Sequence, residues 1–260
     1  RRVRLIDHAA KIAEKIRISG GGRCNFTNLY AGPQHYVSHN PHFCKSALKQ
    51  YTPQDFIALV RKHAIAFHEK KLGQLFCDVS ARQIIDMLLM EMREAGVELQ
   101  TQVKVNSVEA VSGGYLVKTS LREVCARSLV IATGGLSIPK IGATSLGYEI
   151  ARKFDLNVIK PRAALVPLIF DGAWLARCHS LSGLSIEAEV RCGKQAFSDG
   201  LLFTHRGLSG PAILQISSYW EERKEITVNF APQQDVYQRL IEQKQKQPRL
   251  YINNALMEIL

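Results

Sequence analysis

Residues 19–28 carry the residue types best suited to chemistry, since they read SGGGRCNFTN, with three successive glycines before an arginine. Glycine has no Cβ and readily adopts positive φ, so the N–H groups of such a turn can converge on phosphate or carbonyl oxygens. Arg23 adds a planar fork of donors, and Asn25 and Asn28 offer donors and acceptors. The segment predicts a backbone that closely approaches an anionic or planar ligand. A flexible surface turn is the alternative.

Composition limits the classes of protein to consider. The 260 residues are 46% hydrophobic and 22% charged, which is enough for a substantial core in one large domain or two smaller ones. The formal net charge of +11 favours polyanionic partners such as nucleic acid or anionic cofactors. The sequence has no apolar run of about 18 residues, and its basic start lacks a following signal-peptide core. We therefore expect a cytoplasmic protein without a membrane partner.

The cysteines and histidines do not suggest a metal site. The six cysteines are scattered without a CxxC pair, which argues against a disulfide framework or a structural metal and predicts mostly buried thiols. His63 and His68 are expected to be polar edge residues, because no ligand spacing surrounds them.

The elements that position the glycine segment begin with a predicted strand at residues 1–7. Asp7 stands where this strand would end, and in dinucleotide-binding folds such a carboxylate accepts hydrogen bonds from the adenosine ribose. An ordinary strand-end Asp is the alternative. A first strand and a GxGxxG turn normally precede it, and neither is present, so we expect the sequence to begin inside a domain.

Three helices are predicted after the glycine segment. Asn40-Pro41 indicates a helix start that runs toward Gln50, and Thr52-Pro53 repeats the pattern. Ser80 and Gln83 form a capping-box pair before a helix that runs to Gly96. Met87 and Met92 of that helix are expected in the core.

Strands are predicted next, at residues 97–99, 103–108 and 115–119. Residues 128–132 are apolar and lead directly into Thr133-Gly134-Gly135, which is typical of a central strand in a layered α/β sheet. Its carboxyl end is expected to line a ligand crevice. Residues 161–225 are rich in short β-like runs and turns, which predicts an antiparallel insertion, and the following Gln- and Lys-rich region is predicted to be helical.

Three segments together resemble a bacterial flavoprotein family. They are residues 15–28 (KIRISGGGRCNFTN), 131–135 (IATGG) and 204–212 (THRGLSGPA). The family is the BaiN-like group of NAD(P)/FAD-dependent oxidoreductases, also described as aminoacetone-oxidase-type flavoproteins. Residues 40–48 (NPHFCKSAL) and 73–78 (GQLFCD) are similar to its enterobacterial-type branch, which is associated with reduction of a uridine in large-subunit ribosomal RNA to dihydrouridine.

The resemblance implies an α/β fold. We expect a Rossmann-like FAD domain of the two-dinucleotide-binding type at residues 1–160, an inserted antiparallel β domain at 161–225, and the start of a small helical domain at 226–260. Family members begin with a glycine-rich pyrophosphate turn and end with a segment that closes over the flavin. We therefore expect these residues to be part of a longer chain.

The resemblance also implies site residues. The implied cofactor-binding residues are Asp7, Lys15, Ser19, Gly20, Gly21, Gly22, Arg23, Asn25, Val105, Thr133, Gly134 and Gly135. Asp7 would bind the adenosine ribose, and Val105 would contact adenine through its backbone. Arg23 and Asn25 would lie near the flavin or its pyrophosphate. Residues 133–135 would pack against the cofactor where the chain crosses between domains.

The implied chemistry is reduction of FAD by NAD(P)H and hydride transfer to an acceptor, either a ribosomal RNA uridine or a small molecule. Cys24 and His205 are the candidate proton donors. A buried, inert thiol is the alternative for Cys24, and a structural residue that hydrogen-bonds its own turn is the alternative for His205. A small-molecule flavoenzyme and a non-catalytic RNA-binding factor with a vestigial flavin site are the competing functions.

Overall fold

The computed structural model describes residues 2–259, and in that range the chain is α/β, as predicted. The helices are α1 Glu14–Ile18, α2 Lys45–Gln50, α3 Pro53–Lys62, α4 Arg82–Glu94, α5 Leu146–Lys153, α6 Gly172–Ser180, α7 Pro211–Ser217, α8 Val236–Lys246 and α9 Ile252–Ile259. The strands are β1 Arg4–Ile6, β2 Asn25–Asn28, β3 Phe67–Glu69, β4 Gln74–Cys77, β5 Glu98–Gln100, β6 Val105–Val111, β7 Gly114–Thr119, β8 Glu123–Ala126, β9 Leu168–Ile169, β10 Ser185–Cys192, β11 Gln195–Thr204, β12 Gly207–Ser209 and β13 Thr227–Asn229. None of the described helices has the length and apolar character needed to cross a bilayer.

The chain divides into two compact units, the first ending at Ile159 and the second beginning at Lys160. In the first unit, β1 pairs in parallel with β5, and Leu5 lies opposite Leu99. Two three-stranded antiparallel sheets have the orders β2-β4-β3 and β6-β7-β8. A core cluster joins β2, β4, α3 and α4 through buried residues that include Val60, Cys77 and Ile84.

Helix α3 begins where its capping residues predict, and α4 begins one residue later than the Ser80–Gln83 pair predicts, with Ala81 at its N-cap. The Thr52 N–H donates to Asp55 Oδ2 (2.7 Å), and the Asp55 N–H donates to Thr52 Oγ1 (3.2 Å), which completes a capping box. Before α4, the Ser80 N–H donates to Gln83 Oε1 (3.3 Å). Met87 of α4 is buried, which confirms its predicted core role, whereas Met92 is only half-buried.

The predicted helix start at Asn40 is wrong, because α2 begins only at Lys45. Asn40 Oδ1 accepts a hydrogen bond from the His42 N–H (3.0 Å), and the Phe43 N–H donates to the Asn40 carbonyl (3.1 Å). These local bonds form a turn that competes with the first helical turn.

The predicted central strand at residues 128–132 is also wrong, since these residues form no strand. Val130 is 83% exposed and Ile131 is 41% exposed. A strand is stabilised by a hydrogen-bonded neighbour, and no described strand pairs with this segment. The apolar character of residues 128–132 is therefore not sufficient to make them a strand.

The second unit contains an antiparallel sheet of order β13-β10-β11-β12-β9. Helix α7 packs against this sheet and buries Ala212, Ile213 and Ile216. Pro211 stands at the first position of α7, where its missing N–H leaves no helical bond unmade. Helices α6 and α7 were missed in a stretch predicted to be β-rich, because both are short and follow turn residues.

Candidate functional site

The glycine turn between α1 and β2 adopts left-handed backbone geometry. Gly20, Gly21 and Gly22 have φ values of +58°, +65° and +84°. A Cβ on Gly20 would lie 2.7 Å from the Asn25 backbone nitrogen and 2.8 Å from the Phe76 ring. A Cβ on Gly21 or Gly22 would meet no described atom within 4 Å. Packing within the protein therefore requires Gly20, whereas Gly21 and Gly22 leave open space beside the backbone.

Hydrogen bonds hold this turn against β4 and the start of α4. The Ser19 hydroxyl donates to the Ile16 carbonyl (2.7 Å). The Ala81 N–H donates to the Gly22 carbonyl (2.7 Å), and the Cys77 N–H donates to the Arg23 carbonyl (3.0 Å). Hydrogen bonds within the protein thus fix the backbone of the turn without a ligand.

Arg23 and Asn25 have different surroundings. The Arg23 side chain is exposed, and no carboxylate within residues 2–259 pairs with its guanidinium. The Asn25 amide nitrogen, in the orientation that satisfies the whole amide, donates to the carbonyls of Thr27 (3.1 Å) and Leu75 (3.2 Å). Arg23 is therefore available to an external anion, while Asn25 ties β2 to β4.

Asp7 and Val105 come to the same end of the parallel pair β1-β5. The Asp7 N–H donates to the Gln100 carbonyl (2.9 Å), and the Asp7 carbonyl accepts from the Val103 N–H (3.1 Å). Two residues later, Val105 begins β6 and packs at the edge of a core cluster around Val108. The Asp7 carboxylate accepts from the Ala9 N–H (2.8 Å) through one oxygen. An ordinary strand-end Asp would make the same local bond, so the adenosine-ribose role of Asp7 stays a prediction.

The loop after β8 reaches α1 and the end of β1. Lys15 of α1 donates a hydrogen bond to the Ser137 hydroxyl. A Cβ on Gly142 would lie 3.1 Å from His8 Nε2, so this part of the loop passes beside the residue that follows Asp7. The structure thus brings Lys15, Asp7 and the loop of residues 133–142 into one region of the first unit.

Residues 133–135 lie along α5. A Cβ on Gly147 of α5 would lie 2.8 Å from Thr133 Oγ1, and one on Gly135 would lie 3.1 Å from the Tyr148 hydroxyl. Gly134 has a φ of +70° with open space around the position of a Cβ, in the part of the chain that the structure describes. Gly134 therefore resembles Gly21 and Gly22 in its open surroundings.

Cys24 is buried in the core cluster that contains Cys77 and Val60. Burial raises the pKa of the Cys24 thiol, although a hydrogen bond with Ser19 partly offsets this effect. Burial also raises the pKa of Cys77 to about 11, with smaller contributions from Cys24 and Asp78. The surroundings of Cys24 are therefore those of a buried, inert thiol, which is the alternative to a role as proton donor. Cys178 and Cys192 are also buried, so most of the cysteines are buried thiols, as predicted.

His205 lies in the second unit, at the exposed turn between β11 and β12. The Thr204 hydroxyl donates to the Gly207 carbonyl (3.1 Å) and accepts from the Arg206 N–H (3.3 Å). The Arg206 carbonyl accepts from the Phe170 N–H (3.1 Å). The imidazole of His205 makes no hydrogen bond with another described residue, so Thr204 and the backbone hold the turn.

Sequence reasoning missed a polar pair beside the glycine turn. His68 Nδ1 lies 2.6 Å from Asp78 Oδ1, and the His68 ring stacks on Phe76 with 6.3 Å between ring centroids. Phe76 is also the ring against which Gly20 packs. Phe67 and the apolar run at residues 75–77 were the available signal, because a hairpin of the strands that contain them places His68 near Asp78.

Comparison with known families shows which family the chain belongs to. The family model described as "HI0933-like protein Rossmann domain" matches residues 1–256. The chain belongs to this family. A Rossmann domain binds nucleotides at the carboxyl ends of its strands, which is where β1 presents Asp7. The membership confirms the predicted Rossmann-like class.

Curated relatives of this Rossmann-domain chain include two proteins named "Ribosomal RNA dihydrouridine synthase". The Escherichia coli protein is 48% identical over 257 residues, covering 98% of this chain and 64% of the relative. The Haemophilus influenzae protein is 42% identical over 266 residues, covering 99% of this chain and 65% of the relative. The predicted resemblance to the enterobacterial-type branch is confirmed. The chain spans slightly less than two thirds of the length of these relatives.

A more distant relative is the "3-dehydro-bile acid delta(4,6)-reductase" of Clostridium scindens. It is 24% identical over 246 residues, which cover 90% of this chain and 59% of the relative. These three relatives are thus named for two different substrates.

Proposed function

We propose that this chain is the cofactor-binding part of an FAD-dependent oxidoreductase that consumes NAD(P)H and reduces a uridine of large-subunit ribosomal RNA to dihydrouridine. The observation that carries the proposal is the 48% identity, over 98% of the chain, to a ribosomal RNA dihydrouridine synthase. The net charge of +11 suits an anionic nucleic acid substrate. We expect the protein to act in the cytoplasm, where ribosomal RNA is made and modified in bacteria.

The first unit fits a dinucleotide cofactor. Asp7 would hold the adenosine ribose, and the backbone around Val105 would meet the adenine. The open backbone at Gly21 and Gly22 admits a planar or anionic group, and the unpaired guanidinium of Arg23 would bind its phosphate or carbonyl oxygens. Lys15, Ser19 and Asn25 would support this set by fixing the loop and the turn. Residues 133–135 would line the cofactor from the other side.

Bound flavin would supply the hydride for C6 of the uracil. The chain must then provide a proton at C5 and hold the base out of its stack. His205 is the better candidate donor, since its imidazole is exposed and makes no hydrogen bond with a described residue. Cys24 is the second candidate, and its burial makes it less accessible to a base.

The direct test uses the full-length gene in its own host. Ribosomal RNA from a deletion strain is digested to nucleosides, and dihydrouridine is measured by mass spectrometry. We expect the deletion to lose dihydrouridine from the large-subunit RNA and the reintroduced gene to restore it. An unchanged dihydrouridine content in the deletion strain would remove the proposed function.

A small-molecule reductase is the second candidate function, because the Clostridium scindens relative is named as a bile acid reductase. This function predicts that the purified full-length protein oxidises NAD(P)H with a free conjugated enone and without RNA. The ribosomal function predicts NAD(P)H oxidation that depends on unmodified ribosomal RNA. One assay of NAD(P)H oxidation, run with and without RNA, therefore distinguishes the two candidate functions.

A further inference from the structure

Residues 30–51, which we term the aromatic segment, present large rings to solvent. Tyr30, Tyr36, Phe43 and Tyr51 are 66%, 51%, 80% and 53% exposed. All ten residues from 34 to 43 are exposed as well. Several exposed rings within one short segment indicate a surface that contacts another molecule.

The charged residues in the sequence of the aromatic segment have one sign. No Asp or Glu occurs between Glu14 and Asp55. Lys45 and Lys49 lie four residues apart on α2, so both point from one side of that helix. No carboxylate within the segment would repel a phosphate backbone.

Local contacts hold the backbone of the aromatic segment in place. The Tyr30 N–H donates to Asn28 Oδ1 (2.8 Å), and a Cβ on Gly73 would lie 2.6 Å from the Tyr30 ring. The Gly32 N–H donates to His35 Nδ1 (3.1 Å). The hydrogen bonds around Asn40 hold the turn that carries Phe43. The rings are thus presented by an ordered backbone, which lowers the entropic cost of binding.

We propose that the aromatic segment is a docking surface for single-stranded RNA, on which unpaired bases stack against the exposed rings while Lys45 and Lys49 contact phosphates. The proposal rests on the proposed function, because it takes the substrate class from it and adds the place of contact. Stacking on aromatic side chains together with basic groups is how proteins bind single strands without reading their sequence. A base pair within a duplex hides the base faces that such rings need.

Two other occupants fit less well. A second copy of the chain would bring the same acid-free, basic segment against itself, and like charges oppose that contact. An acidic protein partner would form ion pairs with the lysines, but its carboxylates would not use the exposed aromatic rings. Single-stranded RNA satisfies the rings and the lysines together.

The test measures RNA affinity of the full-length protein by fluorescence anisotropy. The probe is a fluorescein-labelled oligouridine of about twelve nucleotides, with a duplex of equal length as comparison. We expect the double variant Tyr36→Ala, Phe43→Ala to bind the single strand about 100-fold more weakly, since each ring contributes roughly tenfold. The matched control is Tyr237→Ala, Tyr251→Ala, which removes two exposed rings of the second unit and should change affinity less than about twofold.

The role of Lys45 and Lys49 is tested through the salt dependence of RNA affinity. Replacing Lys45 and Lys49 by Gln removes two phosphate contacts, so the slope of log affinity against log salt concentration should fall by about 1.4 for a single strand. Circular dichroism and thermal unfolding of each variant check that the fold is retained.

The outcomes separate this proposal from the proposed function. An unchanged single-strand affinity in the double aromatic variant overturns the docking surface, and so does an equal loss of duplex binding. A variant that alters only the oligomeric state or the capture of an acidic protein also overturns it. The dihydrouridine content of the deletion strain tests the proposed function by itself. If the deletion strain keeps its dihydrouridine, the proposed function is wrong. The measured RNA affinities of the variants would still decide whether the aromatic segment binds single-stranded RNA.

Discussion

The N–H group of Ala81 donates a 2.7 Å hydrogen bond to the carbonyl oxygen of Gly22. This bond joins the residue before α4 to the last glycine of the turn, so a capped helix fixes the backbone that a cofactor would approach. The neighbouring bond from the Cys77 N–H to the Arg23 carbonyl adds β4 to the same support. The turn is thus held by elements more than fifty residues away in sequence.

The three glycines should respond differently to alanine. A Cβ on Gly20 would collide with the Asn25 backbone and Phe76, so we expect Gly20→Ala to lower the free energy of unfolding by about 2–4 kcal/mol. Gly21→Ala meets open space and should cost about 1–2 kcal/mol, from its positive φ alone. Urea denaturation of the full-length protein measures both changes.

Gly96→Ala is the matched control for Gly21→Ala, since Gly96 has a similar φ of +68° and open surroundings in the described structure. The two variants should lose similar stability. Only Gly21→Ala should weaken FAD binding, by about tenfold, because its methyl group would lie beside the cofactor. Equal FAD affinity in both variants would contradict the assigned role of the turn.

Arg23 should contribute to cofactor affinity without contributing to stability. A hydrogen bond between an ionised guanidinium and an anionic oxygen is worth about 1.5–3 kcal/mol, so Arg23→Ala should weaken FAD binding about 10- to 100-fold. Arg93→Ala, at the far end of α4, is the control and should leave FAD affinity unchanged. Titration of the full-length apoprotein with FAD, followed by flavin fluorescence, gives the comparison.

The buried thiols should react slowly with alkylating agents. Because burial raises the pKa of Cys24 and raises that of Cys77 to about 11, both thiols remain protonated at pH 8. Exposed Cys125 should therefore be alkylated by iodoacetamide first. Reaction at Cys77 should rise only as the pH approaches 11, and reaction at either buried thiol should rise when the protein unfolds. Peptide mass spectrometry after timed quenching follows each site, and rapid labelling of native Cys24 would refute this expectation.

His205 and Cys24 can be separated as proton donors. We expect His205→Gln to lower kcat for RNA reduction by about 100-fold and to leave flavin reduction by NADPH unchanged. His179→Gln, another exposed histidine of the second unit, is the control. Cys24→Ala should retain kcat. The reverse pattern, with loss in Cys24→Ala alone, would transfer the role to the thiol.

The capping box of α3 should make a pH-dependent contribution to stability. Removing an N-cap hydroxyl by Thr52→Ala costs about 1 kcal/mol. Hydrogen bonds from the Thr52 side chain and backbone lower the pKa of Asp55 below its usual value. This contribution is present above the unfolded pKa of Asp55 and is lost as the pH falls through its lower, folded value. The stability difference between the wild type and Thr52→Ala should therefore shrink in acid, as urea midpoints across that range would record.

Sequence by itself determined the features that depend on neighbouring residues. The Thr52–Asp55 pair specified the start of α3, and the Ser80–Gln83 pair specified that of α4 to within one residue, because the bonds that cap a helix reach only three residues along the chain. The three glycines indicated a left-handed turn for the same local reason. The long motifs also sufficed to indicate the family, since their order and spacing are properties of the sequence.

Tertiary structure decided what depends on distant partners. Residues 128–132 are apolar enough for a strand, but a strand forms only beside another, and no described strand lies there. The burial of Cys24 beside Cys77 and the pairing of His68 with Asp78 likewise follow from the β2-β4-β3 sheet. Only Gly20 of the three glycines meets other side chains, because Phe76 reaches it across that sheet. The physical reason is the same for all of these features, since burial and pairing are contacts between residues that are not neighbours in sequence.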